Sequence, residues 1–216
     1  MLHNSFQIFG CVFILYRIFH EGPVADFTGV YSKEDTKIER IFKWLELAPF
    51  LELVHHLIGI SKMKTHIFVG MLINIWILFG VIDYNPTSPY AMHWIIIRCV
   101  QKTIRHFYNA YSAMDLKFEV YAIDYIRMTA FYVMYPLEYV YSLVLVFNTL
   151  PKVKELGIGR YNMPNLMNFD FDYQLIYFFY ICASLPNFIN TFVYLHRKRA
   201  QQLEIAERFI RPVKQD

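Results

Sequence analysis

The feature that most restricts this chain is the apolar segment from about Ala122 to Phe147, which carries Pro136 and Glu138 near its middle. It exceeds the roughly 20 residues that a helix needs to cross the hydrocarbon layer of a bilayer. A carboxylate in such a segment is costly to hold against lipid, so by default it faces a protein interior and marks a functional site. The proline removes a backbone hydrogen bond and bends the helix one turn earlier. Tyr135, Glu138 and a kink therefore fall together at membrane depth.

Other apolar runs recur along the chain, and with this one they divide it into spans at about 6–19, 41–60, 67–82, 91–113, 122–147 and 173–195. Hydrophobic residues make up 56% of the 216 and charged residues 18%, against about 25% charged in an ordinary soluble domain. The expected fold class is all-α: a polytopic membrane protein, a six-transmembrane-helix bundle forming one domain. The first span has no basic residue ahead of it and has Arg17 near its far end, so it reads as a retained helix and not a cleaved leader. An even number of spans leaves both termini on one side. The cluster Arg197-Lys198-Arg199 opens a basic tail, 196–216, and makes that side cytoplasmic. A net charge of +3 is too small to argue for a nucleic-acid partner.

The ionisable residues inside the spans have helical spacing. Arg98, Lys102 and Arg105 follow an i, i+4, i+7 pattern and make one cationic stripe that needs anions or water. Glu52 and His55 are three apart and share a helix face, either as a hydrogen-bonded helix pair or as part of a pocket. Adjacent His55 and His56 point about 100° apart on a helix and no further ligand completes a shell, so no metal site is expected. Cys11, Cys99 and Cys182 have no metal or disulfide spacing and read as buried thiols. A transporter is disfavoured because the chain has no inverted repeat.

Three blocks resemble one family. Leu51-Glu-Leu-Val-His55-His56-Leu-Ile-Gly59 is similar to the second-span signature of the very-long-chain (3R)-3-hydroxyacyl-CoA dehydratases. Arg127 followed by Tyr135-Pro136 resembles their fifth-span motif. Met163-Pro-Asn165 through Phe171-Asp172-Tyr173, then Pro186 and the basic tail, resembles their last loop, last span and tail.

The resemblance implies a multi-pass protein of the endoplasmic reticulum membrane. It implies removal of water from a long-chain (3R)-3-hydroxyacyl-CoA to give a trans-2-enoyl-CoA, the third step of fatty-acid elongation. It implies no cofactor, and as partners membrane lipid and other fatty-acid elongation enzymes. The family's catalytic pair is a tyrosine and a glutamate seven residues apart, two helical turns, so that both side chains share a face. Tyr135 takes the tyrosine position, but Ser142 stands where the glutamate belongs, and the nearest acid is Glu138. The family's fourth-span glutamate falls at Gln101 or Lys102, and its third-span Gln and Arg fall at Leu72 and Trp76. The catalytic candidates are therefore Tyr135, Glu138 and the substituted Ser142. The substrate-binding candidates are Arg98, Lys102, Arg105, Arg127, Glu52 and His55. Two functions stay open: a working hydro-lyase, or a dehydratase-like protein without turnover that binds acyl-CoA or scaffolds elongation enzymes.

Overall fold

Proline sets several of the helix limits in this chain. Pro89 occupies the first turn of its helix, where its missing N–H costs nothing. Pro49 has the opposite effect. It lies between two helical segments that hydropathy alone joins, and it can neither donate to the carbonyl four residues back nor fit against it.

A computed structural model describes residues 2–21, 36–59, 65–85, 88–114, 121–157 and 172–210. Every regular element among the described residues is helical. In order they are α1 (Leu2–Glu21), α2 (Thr36–Leu47), α3 (Phe50–Leu57), α4 (Thr65–Ile77) prolonged by a π-helical turn (Leu78–Ile82), α5 (Pro89–Ala113), α6 (Tyr121–Leu156) and α7 (Gln174–Ile210). Two stretches, Tyr125–Leu156 and Gln174–Gln201, are long and apolar enough to cross a membrane; Phe68–Ile82 is apolar but shorter.

The single helix expected over 41–60 is corrected to α2, a turn at Ala48–Pro49, and α3. Pro49 leaves the Leu45 carbonyl without its helical partner. That carbonyl instead accepts hydrogen bonds from Gln7 Nε2 of α1 at 3.1 Å and Lys102 Nζ of α5 at 2.7 Å. The break is thus where three helices are tied together. The side chains of Glu52 and His55, and most of the 163–173 block, lie outside the described residues.

Contacts fix the order of packing. Helix α5 lies between α1 and α6, with α7 against both α6 and α4. Cys11, Ile14, Phe42, Leu45, Trp94 and Cys99 are fully buried where α1, α2 and α5 meet. A second part of the core joins Ile77, Leu78 and Ile82 to Leu145 and Tyr177. Here Gly80 is needed: a Cβ would sit 2.5 Å from Tyr173 Oη and 2.8 Å from Trp76 Nε1. The Gly80 carbonyl accepts the Tyr177 hydroxyl at 2.7 Å, which satisfies backbone that the wider π-helical turn offers. On the outside, Phe6, Phe9, Phe13 and Phe19 of α1 and Phe178 and Phe179 of α7 are exposed.

Candidate active site

The antiparallel register of α5 on α6 follows from three contacts: Arg98 to Glu138, Trp94 to Ser142, and Tyr108 to Arg127. Helix α7 runs antiparallel to α6 as well. Tyr135 and Tyr139 stack on Phe188 at centroid distances of 5.3 and 4.5 Å, and Tyr132 meets Phe192 and His196 farther along. Between α4, α5, α6 and α7, and touched by Glu46 and Pro49, lies a cavity of about 490 Å³. That is within the usual range for small-molecule sites.

Tyr135, Glu138, Ser142, Arg98, Lys102, Arg105 and Arg127 all line this cavity. Their states differ sharply. Arg98 bonds Glu46 with two nitrogens, Nη2 to Oε2 at 2.8 Å and Nε to Oε1 at 3.3 Å, and bonds Glu138 Oε1 through Nη1 at 2.9 Å. Lys102 Nζ lies 3.1 Å from Glu46 Oε1. Two cations and two carboxylates therefore close a neutral buried cluster that joins α2, α5 and α6. Such a cluster satisfies each charge in a low-dielectric setting where any one alone would be costly. Arg98 also rests 5.7 Å from the Trp94 ring centroid.

Ser142 is equally committed. Its hydroxyl donates to the Glu138 carbonyl at 2.7 Å, one helical turn back, and accepts from Trp94 Nε1 at 3.0 Å. The hydroxyl proton at this position is occupied by backbone. Glu138, three residues after Tyr135, is the carboxylate that the wall presents on α6. Tyr135 is half-buried, with one ring face covered by Phe188.

The stripe on α5 is split. Its inner members, Arg98 and Lys102, are taken up by the cluster. Its outer member, Arg105, is exposed and lines the cavity together with Arg127 and with Lys198 of α7. The Arg127 guanidinium stacks 3.6 Å over the centroid of Tyr108. Glu46 and Lys198 were not singled out by sequence as site residues. A hint for Glu46 was available: it follows Leu45, the residue whose carbonyl Pro49 frees. Lys198 looked only like a topology anchor.

The two departures on α4 have structural roles or none in the cavity. Trp76 donates Nε1 to the Tyr173 hydroxyl at 3.1 Å and packs on Tyr177 and Tyr180. Leu72 is exposed on the outer face. No cluster of three or more His, Cys, Asp or Glu side chains able to hold a metal occurs among the described residues.

Comparison with known proteins gives one consistent result. A family model described as protein tyrosine phosphatase-like protein, PTPLA, matches residues 46–205. The Mus musculus very-long-chain (3R)-3-hydroxyacyl-CoA dehydratase 2 is 26% identical over 183 residues, covering 83% of this chain and 71% of its own. The Canis lupus familiaris very-long-chain (3R)-3-hydroxyacyl-CoA dehydratase 1 is 25% identical over 171 residues, 77% of this chain and 68% of its own. The Caenorhabditis elegans very-long-chain (3R)-3-hydroxyacyl-CoA dehydratase hpo-8 is 23% identical over 205 residues, 93% and 92% of the two chains. No solved structure matches the chain.

Proposed function

The chain belongs to the protein tyrosine phosphatase-like, PTPLA, family as a divergent member, and from that premise we propose that it is a hydro-lyase acting on long-chain (3R)-3-hydroxyacyl-CoA. The product is the trans-2-enoyl-CoA, and the setting is the fatty-acid elongation cycle at the endoplasmic reticulum. The observation that carries the reading is that Tyr135 and Glu138 line one cavity together with several cations.

The chemistry divides between those two side chains. Bonded to Arg98, the Glu138 carboxylate is an acceptor, the form a base requires. It takes the C2 proton. The C2–C3 double bond forms as the C3–O bond breaks, and the departing hydroxyl takes the Tyr135 proton and leaves as water. Return of the proton from Glu138 to the tyrosinate restores both groups. Tyr135 and Glu138 are about 4.5 Å apart along the helix axis, three residues at 1.5 Å each. A bound C2–C3 unit spans that separation, with Phe188 closing one side of Tyr135. The relatives' glutamate would act from one turn deeper, where this chain has Ser142; Glu138 with its guanidinium partner replaces it from the near side.

Cysteine chemistry, which the family description suggests, has no support on the wall. No cysteine lines the cavity among the described residues; Cys11 and Cys99 are buried in the core as expected, whereas Cys182, expected to be buried, is exposed on α7.

The chain crosses the membrane six times in this reading, with α2 and α3 together as one broken span and both termini cytoplasmic. The two long apolar helices and the exposed phenylalanines of α1 and α7 support it. An outer surface this apolar is expected against lipid and not against water.

A second reading, a family member without turnover that keeps acyl-CoA binding, is favoured by one observation: Ser142 carries no carboxylate and spends its hydroxyl on backbone. The test is direct. Membranes carrying the full chain receive a long-chain (3R)-3-hydroxyacyl-CoA, and enoyl product is measured against empty-vector membranes. We expect product, and loss of activity by about 10²- to 10⁴-fold in Tyr135→Phe, the usual worth of a positioned proton donor. Absence of product from the wild-type chain would leave only the second reading.

A further inference from the structure

Helix α7 sends two adjacent basic residues in different directions. Lys198 lines the cavity, but Arg199, about 100° farther round the helix, does not. Arg199 instead meets Tyr132 of α6, which is also off the cavity wall. Its guanidinium carbon lies 5.2 Å from the ring centroid, and Nη1 donates to the phenol oxygen at 3.5 Å. The same phenol is hydrogen-bonded to His196 Nδ1. Because an arginine can only donate, the phenol oxygen accepts from it and gives its own proton to Nδ1. The neutral imidazole then carries its proton on Nε2, and His196 is exposed. Arg199 Nε is buried and has no hydrogen-bond partner among the described residues. A buried donor on a charged group is costly to leave unpaired, so this junction calls for an acceptor from outside the chain.

The surface beside the junction identifies where that acceptor comes from. On α7, Leu185, Ile189 and Val193 are four apart, share a face with His196 and are exposed. On α6, Val133, Leu137 and Val140 are exposed as well. The antiparallel contacts of Tyr132 with Phe192, and of Tyr135 and Tyr139 with Phe188, bring the two stripes to the same levels. Eleven residues separate Leu185 from His196, about 16 Å of helix at 1.5 Å per residue. One leaflet, half of a hydrocarbon core of about 30 Å, is nearly as deep. Apolar stripes one leaflet deep, headed by a fixed cation with an unmet donor, match the layout of a phospholipid.

We propose that Arg199, His196 and Tyr132 form a site for the phosphate of an anionic phospholipid whose acyl tails lie along these two stripes. Nε and Nη2 of Arg199 are the paired donors that phosphate oxygens accept from, since Nη1 is taken by Tyr132. The Tyr132 ring holds the guanidinium in one orientation before the lipid arrives. The Nε2 proton of His196 supplies a further donor on the exposed side. A zwitterionic lipid brings its own ammonium and so gains less from a cation at this level than an anionic one does. The site is separate from the cavity and needs no turnover. It rests on the reading that α6 and α7 cross a membrane.

The test offers the full chain, purified in detergent, equal amounts of phosphatidic acid and phosphatidylcholine with identical acyl chains, and counts bound lipid by native mass spectrometry. The wild-type chain is expected to retain phosphatidic acid over phosphatidylcholine by at least about tenfold, and Arg199→Gln to lose about tenfold of that retention, the worth of one charge-assisted hydrogen bond. Arg197→Gln removes the same charge from the exposed neighbouring residue and should keep the preference. Equal retention of the two lipids by the wild-type chain overturns the site. So does an equal loss in Arg197→Gln and Arg199→Gln, which would mark diffuse surface charge. Displacement of the lipid by inorganic phosphate at the same concentration would mark a free-anion site and overturns it too. Alkaline washing of membranes carrying the chain tests the spanning reading by itself. Release of the chain without detergent removes that reading and the site with it, whereas retention in the membrane without a lipid preference removes the site alone.

Discussion

Arg98 and Lys102 at the inner end of the α5 stripe, and Arg105 with Arg127 and Lys198 at the outer end, are cations lining the same cavity under different conditions. The inner pair is buried and shares two carboxylates and a freed backbone carbonyl. The outer three are exposed or half-buried. The inner charges, with partners on three helices, hold those helices in register. Position along one helix separates the two settings, although nothing in residue type does.

The comparison breaks most severely at Arg98. Arg98→Met leaves Glu46 and Glu138 facing each other without their shared guanidinium, and removing one member of a buried ion cluster costs about 3–5 kcal/mol. Thermal unfolding of the purified chain should show this as a large fall in midpoint. An unchanged midpoint would mean that the cluster does not hold α2, α5 and α6 together. Lys102→Met is milder, because Glu46 keeps Arg98 and the Leu45 carbonyl keeps Gln7. Its expected cost is about 1–3 kcal/mol, the range for removing one partner of a buried hydrogen bond.

Much of this contrast could be read in advance, and the rest could not for a definite reason. The i, i+4, i+7 spacing on α5 put Arg98, Lys102 and Arg105 on one face, and Tyr135 and Glu138 followed from the tyrosine-proline motif and the lone acid beyond it. Those arguments needed only an unbroken helix, and α5 and α6 are unbroken. The region from 41 to 60 failed the same condition. Continuous-helix geometry favoured Glu52 and His55, whereas Pro49 divides the segment and Glu46, on the near side of the break, meets the cations. Spacing within one helix also gives no register between helices. Lys198 therefore could not be set level with Arg127 until the aromatic contacts between α6 and α7 were known.

Smaller changes sharpen the contrast. Ser142→Ala takes the acceptor from the fully buried Trp94 N–H and should cost about 1–2 kcal/mol by the same unfolding measurement. No cost would imply that the indole finds another acceptor. At the rim, Lys198→Gln should leave the unfolding midpoint within about 1 °C, since partly exposed charges contribute little to stability. A midpoint shift as large as that of Lys102→Met would erase the distinction between the two ends.

The missing amide hydrogen of Pro49 has a reach well beyond its own turn. Because Gln7 and Lys102 grip the same orphaned oxygen, the amino-terminal helix is mechanically keyed to a lysine on the pocket wall, although none of its described side chains lines that pocket. A shortened chain lacking α1 would lose one of the two hands on that oxygen, and the slack would be felt first at Glu46, the neighbouring residue, and through Arg98 at Glu138.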